Sequence, residues 1–490
     1  MNKLRMMCGG LLLLGAVPGL ALAKDVSVRT TSELAGAIVA ATAGDVIILE
    51  DGTYDSTGFS CQASGLEDQP ITVRARNPLQ AKVRMNALEG FKVSGANWHF
   101  EDLDVTGVCA VDSSCEHAFH VQGEASGFWL RRSRVTDFNA QLKVNSAQVA
   151  GVWKTPHKGL IEGNELFDTR ARNTSNPTTK LNIDTGDDWV LRANYLHDFQ
   201  KGGGDTVSYG AFLKSGGKRG VVERNLVVCT TKVPPHTGGV RIGLSLGGGG
   251  TAPQFCAPAF NAAVPCDVEH EDGVLRNNLI IGCSDVGIYL NRAKNTQVLH
   301  NTLIATLGVD FRFATTSGQA AGNLLAGRIR NRDAATGVFA GNLENVTAQD
   351  FAGWYVDPLG ADLRKKGDLT ALLDKGTVPP GVSEDYCARA RGNLPIELGA
   401  LEHSLGDCVT TRPPLSDAPP VGGGPDGGSA GGGQNPVDGG AAVGCGCDMT
   451  SRSAPWAQVV LLSLLVARLT RRRQRKPKLA LPSNPDCLTT

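Results

Sequence analysis

The stretch VVERNLVV (221–228) sets an asparagine between two short aliphatic runs, and close variants of it recur along the chain. The other copies are LIEGNELF (160–167), VLRANYL (190–196), VLRNNLII (274–281), VLHNTLI (298–304), AAGNLLA (320–326) and FAGNLEN (339–345). From first to last, their asparagines lie 30, 31, 53, 23, 22 and 19 residues apart. A pattern that returns at such intervals predicts a solenoid, in which each repeat packs on its neighbour. The interval of 53 predicts either one coil with a large insertion or two coils with one copy lost.

The residue types within the repeats select the kind of solenoid. The apolar runs are short, rich in β-branched residues and interrupted by Gly and Asn, which excludes stacked helices and predicts strands. We therefore expect an all-β fold, a right-handed parallel β-helix with coils about 4.8 Å apart. An asparagine at one turn can bond to those in the coils above and below. We expect such a structural ladder, rather than a binding role, for Asn164, Asn194, Asn225, Asn278 and Asn301.

The segment SELAGAIVAATAGD (32–45) predicts a helix that caps the N-terminal end of the solenoid. Ser32 is the expected N-cap, Gly44 the expected end, and a first strand is expected over 45–49. This passage resembles the entry of right-handed parallel β-helix proteins of the polysaccharide-lyase and pectate-lyase-like group, in which a short helix covers the open end. The resemblance extends over about 25–408. It implies a protein that acts on polysaccharide or binds it.

The N-terminus predicts export. Lys3 and Arg5 precede an apolar run over 11–22, which closes with the small-residue site Ala21-Leu22-Ala23. These features are typical of a secretory signal peptide, here 1–23. The β-helix domain is then 24–409, in a compartment that permits disulfides. A Pro- and Gly-rich stretch over 410–444 predicts a flexible linker.

The C-terminus predicts anchoring. Cys445-Gly446-Cys447, a short apolar run over 454–467 and an arginine block resemble the MYXO-CTERM sorting signal, here 445–476. That resemblance implies a rhomboid-type C-terminal sorting protease as a partner. The apolar run is shorter than the roughly 20 residues of an ordinary span, yet the basic block can hold it in the membrane with a cytoplasmic tail over 477–490. A plain short tail anchor is the alternative. Both place an exported protein at the cell surface or outer membrane.

Composition narrows the class of partner. The formal net charge is zero, which does not favour binding to nucleic acid. Sixty-one glycines and 6% aromatics favour a turn-rich β architecture. Nine cysteines lie between Cys61 and Cys408, so at least one lacks an intramolecular partner. Proximity suggests the pairs Cys109–Cys115, Cys256–Cys266 and Cys387–Cys408, although sequence leaves the connectivity open.

One stretch suggests a catalytic base. AFLKSGGKRGVVERN (211–225), followed by GGVRIG (238–243), resembles strands of the alginate lyase and chondroitinase B family. The resemblance implies that Lys214 is the base and that Arg241 lies near the family's arginine, about two residues out of register. The family's calcium-binding glutamates fall on Val207 and Tyr209, which argues against a metal-assisted mechanism. The alternative is that Lys214 lies on an exposed turn.

A second stretch suggests a metal site. LNIDTGDDWV (181–190) groups Asp184, Asp187 and Asp188 with Asn182, and such oxygens can bind Ca²⁺. Solvated turn aspartates are the alternative reading.

Basic and polar residues at similar places in successive coils suggest a stripe that binds acidic sugars. Its expected members are His120, Lys143, Lys180, Lys214, Arg241 and Arg312. Lys143, Lys180, Asn291 and Arg292 are the expected substrate-binding residues. A loop held by Cys256 and Cys266 is expected to form a rim beside this groove. Its glycine run lacks the Lys-Ser/Thr of a phosphate loop.

Two functions fit these features. The first is a surface-anchored lyase that cleaves uronate glycans by β-elimination. The second is a non-catalytic protein that binds an acidic polysaccharide or cell-surface glycan, as an adhesin does. The fold alone does not choose between them.

Overall fold

Successive strands join three different sheets in turn, and this cycle repeats along the chain. The computed structural model describes residues 23–234, 238–248, 253–377, 381–392 and 395–412. All of them belong to one compact unit, Met1–Pro420. The pairing between coils is parallel throughout the three long sheets, named A, B and C here. Since parallel connections are right-handed, the described chain forms the predicted right-handed parallel β-helix.

The strands are numbered in chain order. Sheet A contains β1 (Asp25–Val28), β2 (Val46–Leu49), β5 (Ile71–Ala75), β8 (Trp98–Glu101), β11 (Trp129–Arg131), β16 (Leu160–Glu162), β19 (Val190–Arg192), β23 (Val221–Glu223), β27 (Val274–Arg276), β31 (Thr296–Leu299), β34 (Ser317–Ala321) and β37 (Thr336–Ala340). Sheet B contains β3 (Gly52–Ser56), β6 (Ala81–Met85), β9 (Asp104–Gly107), β12 (Arg134–Thr136), β17 (Glu165–Phe167), β20 (Tyr195–His197), β24 (Leu226–Val228), β28 (Leu279–Ile281), β32 (Thr302–Ile304) and β35 (Leu324–Leu325). Sheet C contains β4 (Phe59–Cys61), β7 (Glu89–Val93), β10 (His117–Gln122), β13 (Ala140–Asn145), β18 (Thr178–Asp184), β21 (Val207–Lys214), β25 (Val240–Leu246), β29 (Ile288–Asn291), β33 (Gly308–Arg312) and β36 (Arg328–Arg332).

Shorter elements decorate this frame. They are the hairpin of β14 (Ala147–Val149) and β15 (Val152–Lys154), the small sheet of β22 (Gly217–Lys218), β26 (His270–Glu271) and β30 (Ala293–Lys294), the pair β38 (Tyr355–Asp357) and β39 (Asp362–Lys365), and the helices α1 (Thr31–Ala40) and α2 (Ala348–Trp354). Single 3₁₀ turns cover Asp112–Ser114, Pro253–Phe255 and His403–Leu405.

The asparagine ladder is confirmed. The backbone N–H and the side-chain amide of Asn225 both donate to Oδ1 of Asn278, each over 3.0 Å. Asn194 donates to Asn225 in the same way. The ladder continues through Asn301 and Asn323 to Asn342. Because Asn225 bonds directly to Asn278, the interval of 53 residues is a single coil with an insertion.

Inward-facing side chains stack from coil to coil. On sheet C, Phe59, Phe91 and Phe119 follow one another with ring centroids 5.1 Å apart. Burial of such apolar surface is the main favourable term in folding. The core therefore runs along the axis of the solenoid rather than gathering at one centre.

The C-terminal part of the described chain packs against the outer face of sheet B. Leu226 and Leu279 point outward from that sheet and are buried with Phe351, Tyr355 and Leu401 in a second apolar cluster. This packing covers much of sheet B.

The capping helix forms with different boundaries from those predicted. Thr30, not Ser32, is the N-cap, and it forms a capping box with Glu33. The C-cap is Ala41 rather than Gly44. The strand after the helix is also not the first, since β1 precedes the helix and pairs with β2.

Four disulfides form among the described cysteines. The three suggested pairs, Cys109–Cys115, Cys256–Cys266 and Cys387–Cys408, are all present. The fourth, Cys229–Cys283, is not among the predicted pairs, and its residues lie 54 positions apart. Cys61 is left as a buried thiol.

The predicted signal peptide, most of the linker, the sorting signal and the tail lie outside the described residues. Within the described residues, the helices are too short or too polar to cross a membrane.

Candidate functional site

The candidate site lies on the outer face of sheet C, towards the C-terminal ends of its strands. His120 pairs in register with Lys143, and Lys143 with Asn182. Asp184 pairs with Lys214, and these two residues end β18 and β21. Neighbouring parallel strands are about 4.8 Å apart, so polar groups from several coils are brought together here.

At its centre is a lysine–aspartate cluster, formed by Lys143, Asp184 and Lys214. The ammonium group of Lys143 donates to Oδ2 of Asp184, and Nζ of Lys214 lies 3.3 Å from Oδ1. Ser215 Oγ donates to the same Oδ1 over 2.9 Å. Lys143 also donates to Oδ1 of Asn182 over 3.1 Å. One carboxylate therefore holds two lysines.

The cluster is nearly closed to solvent, with side-chain exposures of 12% for Lys143, 2% for Asp184 and 4% for Lys214. Burial lowers the pKa of Lys143, the nearby charge of Lys214 lowers it further, and Asp184 opposes both. Burial also acts to raise the pKa of Asp184, but the two lysines and Ser215 hold that pKa below its ordinary value. With two lysines and one carboxylate, the cluster favours an anionic ligand.

Two loops form a rim over the cluster. The predicted loop held by Cys256–Cys266 places the Phe255 ring 5.8 Å from Nζ of Lys143. The hydroxyl of Thr185 donates to the carbonyl of Phe255, which holds this loop against the end of β18. From the other side, Trp153 of the β14–β15 hairpin stacks on Phe260 with ring centroids 4.9 Å apart. The rim explains why the lysines are so little exposed.

Next to this cluster, on β7 and β10, is a histidine–glutamate cluster formed by Glu89, His117 and His120. Nδ1 of His120 lies 2.6 Å from Oε1 of Glu89. That hydrogen bond lowers the pKa of Glu89 to about 2. Burial lowers the pKa of His117 well below its ordinary value, so its ring is neutral. Of these three residues, only His120 is among the site residues predicted from the sequence.

The positions where the resembled family carries glutamates are apolar in the structure. Tyr209 packs edge-on against Phe212, with centroids 5.3 Å apart. Both belong to an apolar cluster with Ile242, Val286 and Tyr289. Neither Val207 nor Tyr209 offers a carboxylate at these positions.

Lys180 is not a substrate-binding residue, contrary to prediction. Its side chain is 0% exposed, and Nζ donates to Oδ2 of Asp168 over 2.6 Å. Asp168 is equally buried. All seven residues of β18 are buried, so exposure does not alternate along this strand.

Arg241 is not brought beside Lys214. It pairs in register with Ser208, six residues before Lys214, or about 20 Å along the strand. Its Nη1 donates to Gln200 over 2.8 Å, and burial lowers its pKa. The expectation that Lys214 and Arg241 share one catalytic site is therefore wrong for this arrangement.

The three aspartates proposed as calcium ligands are also separated by their partners. Asp184 is engaged by two lysines, whereas Asp187 and Asp188 bind the guanidinium of Arg219 at 3.1 and 2.7 Å. Their oxygens face cations, so this set does not fit a Ca²⁺ ion. The prediction of a calcium site at Asp184, Asp187 and Asp188 is wrong on this geometry.

Asn291 lies two coils from the lysine–aspartate cluster, about 10 Å away by strand spacing. It lines a depression of about 280 Å³ with Arg292, Glu269 and Phe313. Arg292 donates to the carbonyl of Cys266 over 2.9 Å, so it supports the rim loop. The predicted basic stripe is thus real only in part, because Asp184 and Asp310 alternate with its cations.

A larger cleft, of about 680 Å³, lies elsewhere, on the side of sheet A. His99 and Trp129 stack there with centroids 3.9 Å apart, and Asp187, Asp188 and Arg219 line the other wall. We prefer the site on sheet C, because burial lowers the pKa of its Lys143, and groups with perturbed pKa values cluster at functional sites.

Comparisons with known proteins agree with this architecture. The solved structure of pectate lyase Pel9A is 14% identical, covering 78% of this chain and 97% of that chain with a TM-score of 0.53. This likeness shows that the two proteins share the parallel β-helix fold. Weaker likenesses are an alginate lyase from Paenibacillus sp. str. FPU-7 (16% identity, 65% of this chain and 99% of that chain, TM-score 0.33) and the PL6 family polysaccharide lyase Pedsa3628 from Pseudopedobacter saltans (12%, 70% and 96%, TM-score 0.36).

The family model described as Chondroitinase B matches residues 28–109, a minor part of the chain. No curated protein matches the chain. At these identities the likeness to solved structures establishes the fold alone, and the chemistry has to be argued from the site.

Proposed function

We propose that the protein is a polysaccharide lyase that cleaves an acidic, uronate-containing glycan by β-elimination at the lysine–aspartate cluster. The observation that carries this is the pair of buried lysines sharing Asp184 on the outer face of sheet C. The shared fold of the solved pectate lyase and the partial match to the Chondroitinase B family support the same class.

The chemistry needs a base and a cation close together. Nζ of Lys214 takes the proton beside the uronate carboxylate, and the electrons form the new carbon–carbon double bond as the glycosidic C–O bond breaks. Water supplies a proton to the leaving oxygen. The ammonium group of Lys143 neutralises the uronate carboxylate, whose negative charge would otherwise oppose proton removal. Lys214 is assigned as base because its strand carries the resemblance to known lyases.

Asn182 and Asn291 extend the site along the groove. The side chain of Asn182 is already oriented by its bond from Lys143. Asn291 contributes an amide in the neighbouring depression, within hydrogen-bonding distance of the Tyr289 hydroxyl at 3.4 Å. Amides on either side of the lysines suit the hydroxyl groups of flanking sugars.

The deciding experiment incubates the purified protein with a panel of uronate polysaccharides and follows the ultraviolet absorbance of unsaturated products. Matched runs with a chelator and with added Ca²⁺ test calcium dependence. Lys214→Ala should abolish product formation, while Lys294→Ala, a surface lysine paired with Glu271, should not. If the parent forms no product but is retarded by acidic polysaccharide in affinity electrophoresis, the protein is a glycan-binding protein instead.

We further propose that the protein acts at the cell surface, exported by 1–23 and anchored by 445–476 after action of a C-terminal sorting protease. The apolar run and arginine block of the C-terminus support this. Deletion of 445–490 should release the protein into the medium. Retention of the truncated protein in the membrane fraction would refute the anchoring.

A further inference from the structure

The histidine–glutamate cluster has the composition of a transition-metal site. Glu89 and His117 lie side by side in register on neighbouring strands, and His120 lies three residues further along β10, opposite Lys92. Glu89, His117 and His120 each offer a ligand atom, and these atoms all lie within 4.8 Å of one another. Two imidazoles and a carboxylate are a donor set that zinc and similar ions accept in proteins.

The ring of His120 is held as a metal-binding histidine would be. Its Nε2 lies 2.7 Å from Oδ1 of Asn145. The amide orientation of Asn145 is set by its Nδ2, which donates to the carbonyl of Ser146 over 2.9 Å. Nε2 therefore donates a proton to Asn145, and Nδ1 is the nitrogen that faces Glu89 and would bind an ion in place of its own proton. Metal-binding histidines commonly have their second nitrogen fixed by an oxygen acceptor in this way.

His117 supplies an independent observation. Its Nδ1 is buried and, among the described residues, has no hydrogen-bond partner. A buried polar atom without a partner is destabilising, and in a native structure it calls for an explanation such as a bound ion. Its ring centroid is 5.0 Å from that of His120. An ion bound between the two rings would be a partner for this nitrogen, which has none among the described residues.

The fit to an ion requires only small side-chain movements. Ligand atoms about 2.1 Å from a tetrahedral ion are about 3.4 Å apart. The distance of 2.6 Å between Oε1 of Glu89 and Nδ1 of His120 would lengthen. Any distance between ligand atoms that is longer than the tetrahedral spacing, at most 4.8 Å, would shorten. Lys92 lies 3.3 Å from Oε2 of Glu89, so it steadies the carboxylate through the oxygen not used in the short contact.

We propose that Glu89, His117 and His120 bind one divalent transition-metal ion of the Zn²⁺ class, with Asn145 as the positioning residue for His120. Nitrogen ligands disfavour Ca²⁺ and Mg²⁺, which prefer oxygen. Three protein ligands leave a fourth position open to water or to an oxygen of a ligand in the neighbouring groove. The proposal does not depend on lyase activity.

The test measures Zn²⁺ binding to the full chain by isothermal titration calorimetry, with metal content after dialysis as a second readout. The protein carries no histidine tag, is first stripped with a chelator, and has its free thiols alkylated. The variants His117→Ala and His120→Ala should each bind one equivalent of Zn²⁺ less than the parent protein binds. His157→Ala, a histidine in the cleft on sheet A, should bind as the parent does.

Two more variants guard against loss of folding. Glu89→Gln keeps the shape of the side chain but removes the negative charge of the ligand. This variant should also bind one equivalent of Zn²⁺ less than the parent. Asn145→Ala should keep the stoichiometry but weaken binding about 10- to 100-fold, the usual effect of removing such a partner. Equal zinc binding by the parent and by His117→Ala and Glu89→Gln would overturn the proposal. So would a parent that binds no zinc.

Discussion

Lys180 and Asp168 form an ion pair with both side chains wholly buried and with Nζ 2.6 Å from Oδ2. Burial lowers the pKa of the lysine and raises that of the aspartate, while each partner opposes the effect on the other. The pair lies at the corner between sheets B and C, where Gln141 also donates to Asp168 over 3.3 Å. The role of this ion pair is structural: each residue neutralises the buried charge of the other, and neither is placed to bind a ligand.

Replacing only one partner should therefore be strongly destabilising. Lys180→Met leaves Asp168 buried without its cation, and we expect the free energy of unfolding to fall by about 3–5 kcal/mol. Urea denaturation followed by circular dichroism measures this. The double variant Lys180→Met with Asp168→Leu should recover most of the loss, because no unpaired charge remains. A single variant as stable as the parent would contradict the structural role.

The ladder makes a second prediction about stability. Asn225→Ala removes the acceptor of Asn194 and the donor to Asn278 in the middle of the ladder. Several buried groups then lose partners, and we expect a loss of about 2–5 kcal/mol in the free energy of unfolding. Asn342→Ala, at the partly exposed last rung, should be milder. Equal effects at the two positions would argue against a continuous ladder.

The fold could be predicted because its determinants are local and repeated. Each copy of the aliphatic–asparagine–aliphatic motif marks one coil of the solenoid. The hydrogen bonds between successive asparagines align the coils in a common register. The first coils carry no such asparagine, so Glu89 and His117 had no reference position and were missed. The alternation rule failed at Lys180, because every residue of β18 is buried and the lysine is paired with Asp168. The rim stack of Trp153 on Phe260 joins two loops far apart in sequence.

Arginine substitutions should separate the roles of the two catalytic-site lysines. Arginine keeps the positive charge but does not lose its proton at accessible pH, so it cannot serve as a base. Lys214→Arg should lower the rate of unsaturated-product formation by about 10²–10⁴-fold. Lys143→Arg keeps a cation beside Asp184 and should retain a rate at least about tenfold above that of Lys214→Arg. The opposite order would exchange the two assignments.

Buried neutral histidine should make the protein less stable in acid. His270 is wholly buried between Gly220 and Gly273, and its ring nitrogens have no hydrogen-bond partner among the described residues. Burial lowers its pKa from 6.5 to about 4, against the weaker opposing charges of Asp272 and Glu271. The unfolded chain therefore binds a proton more readily, so this contribution is complete above pH 6.5 and is lost as pH falls to about 4. His270→Leu should remove that dependence. Urea denaturation at pH 7.5 and at pH 4 gives the loss of unfolding free energy over this range for each protein. We expect that loss to be smaller in the variant than in the parent, by up to about 3 kcal/mol. Parallel pH profiles for the two proteins would show that His270 does not titrate as its burial requires.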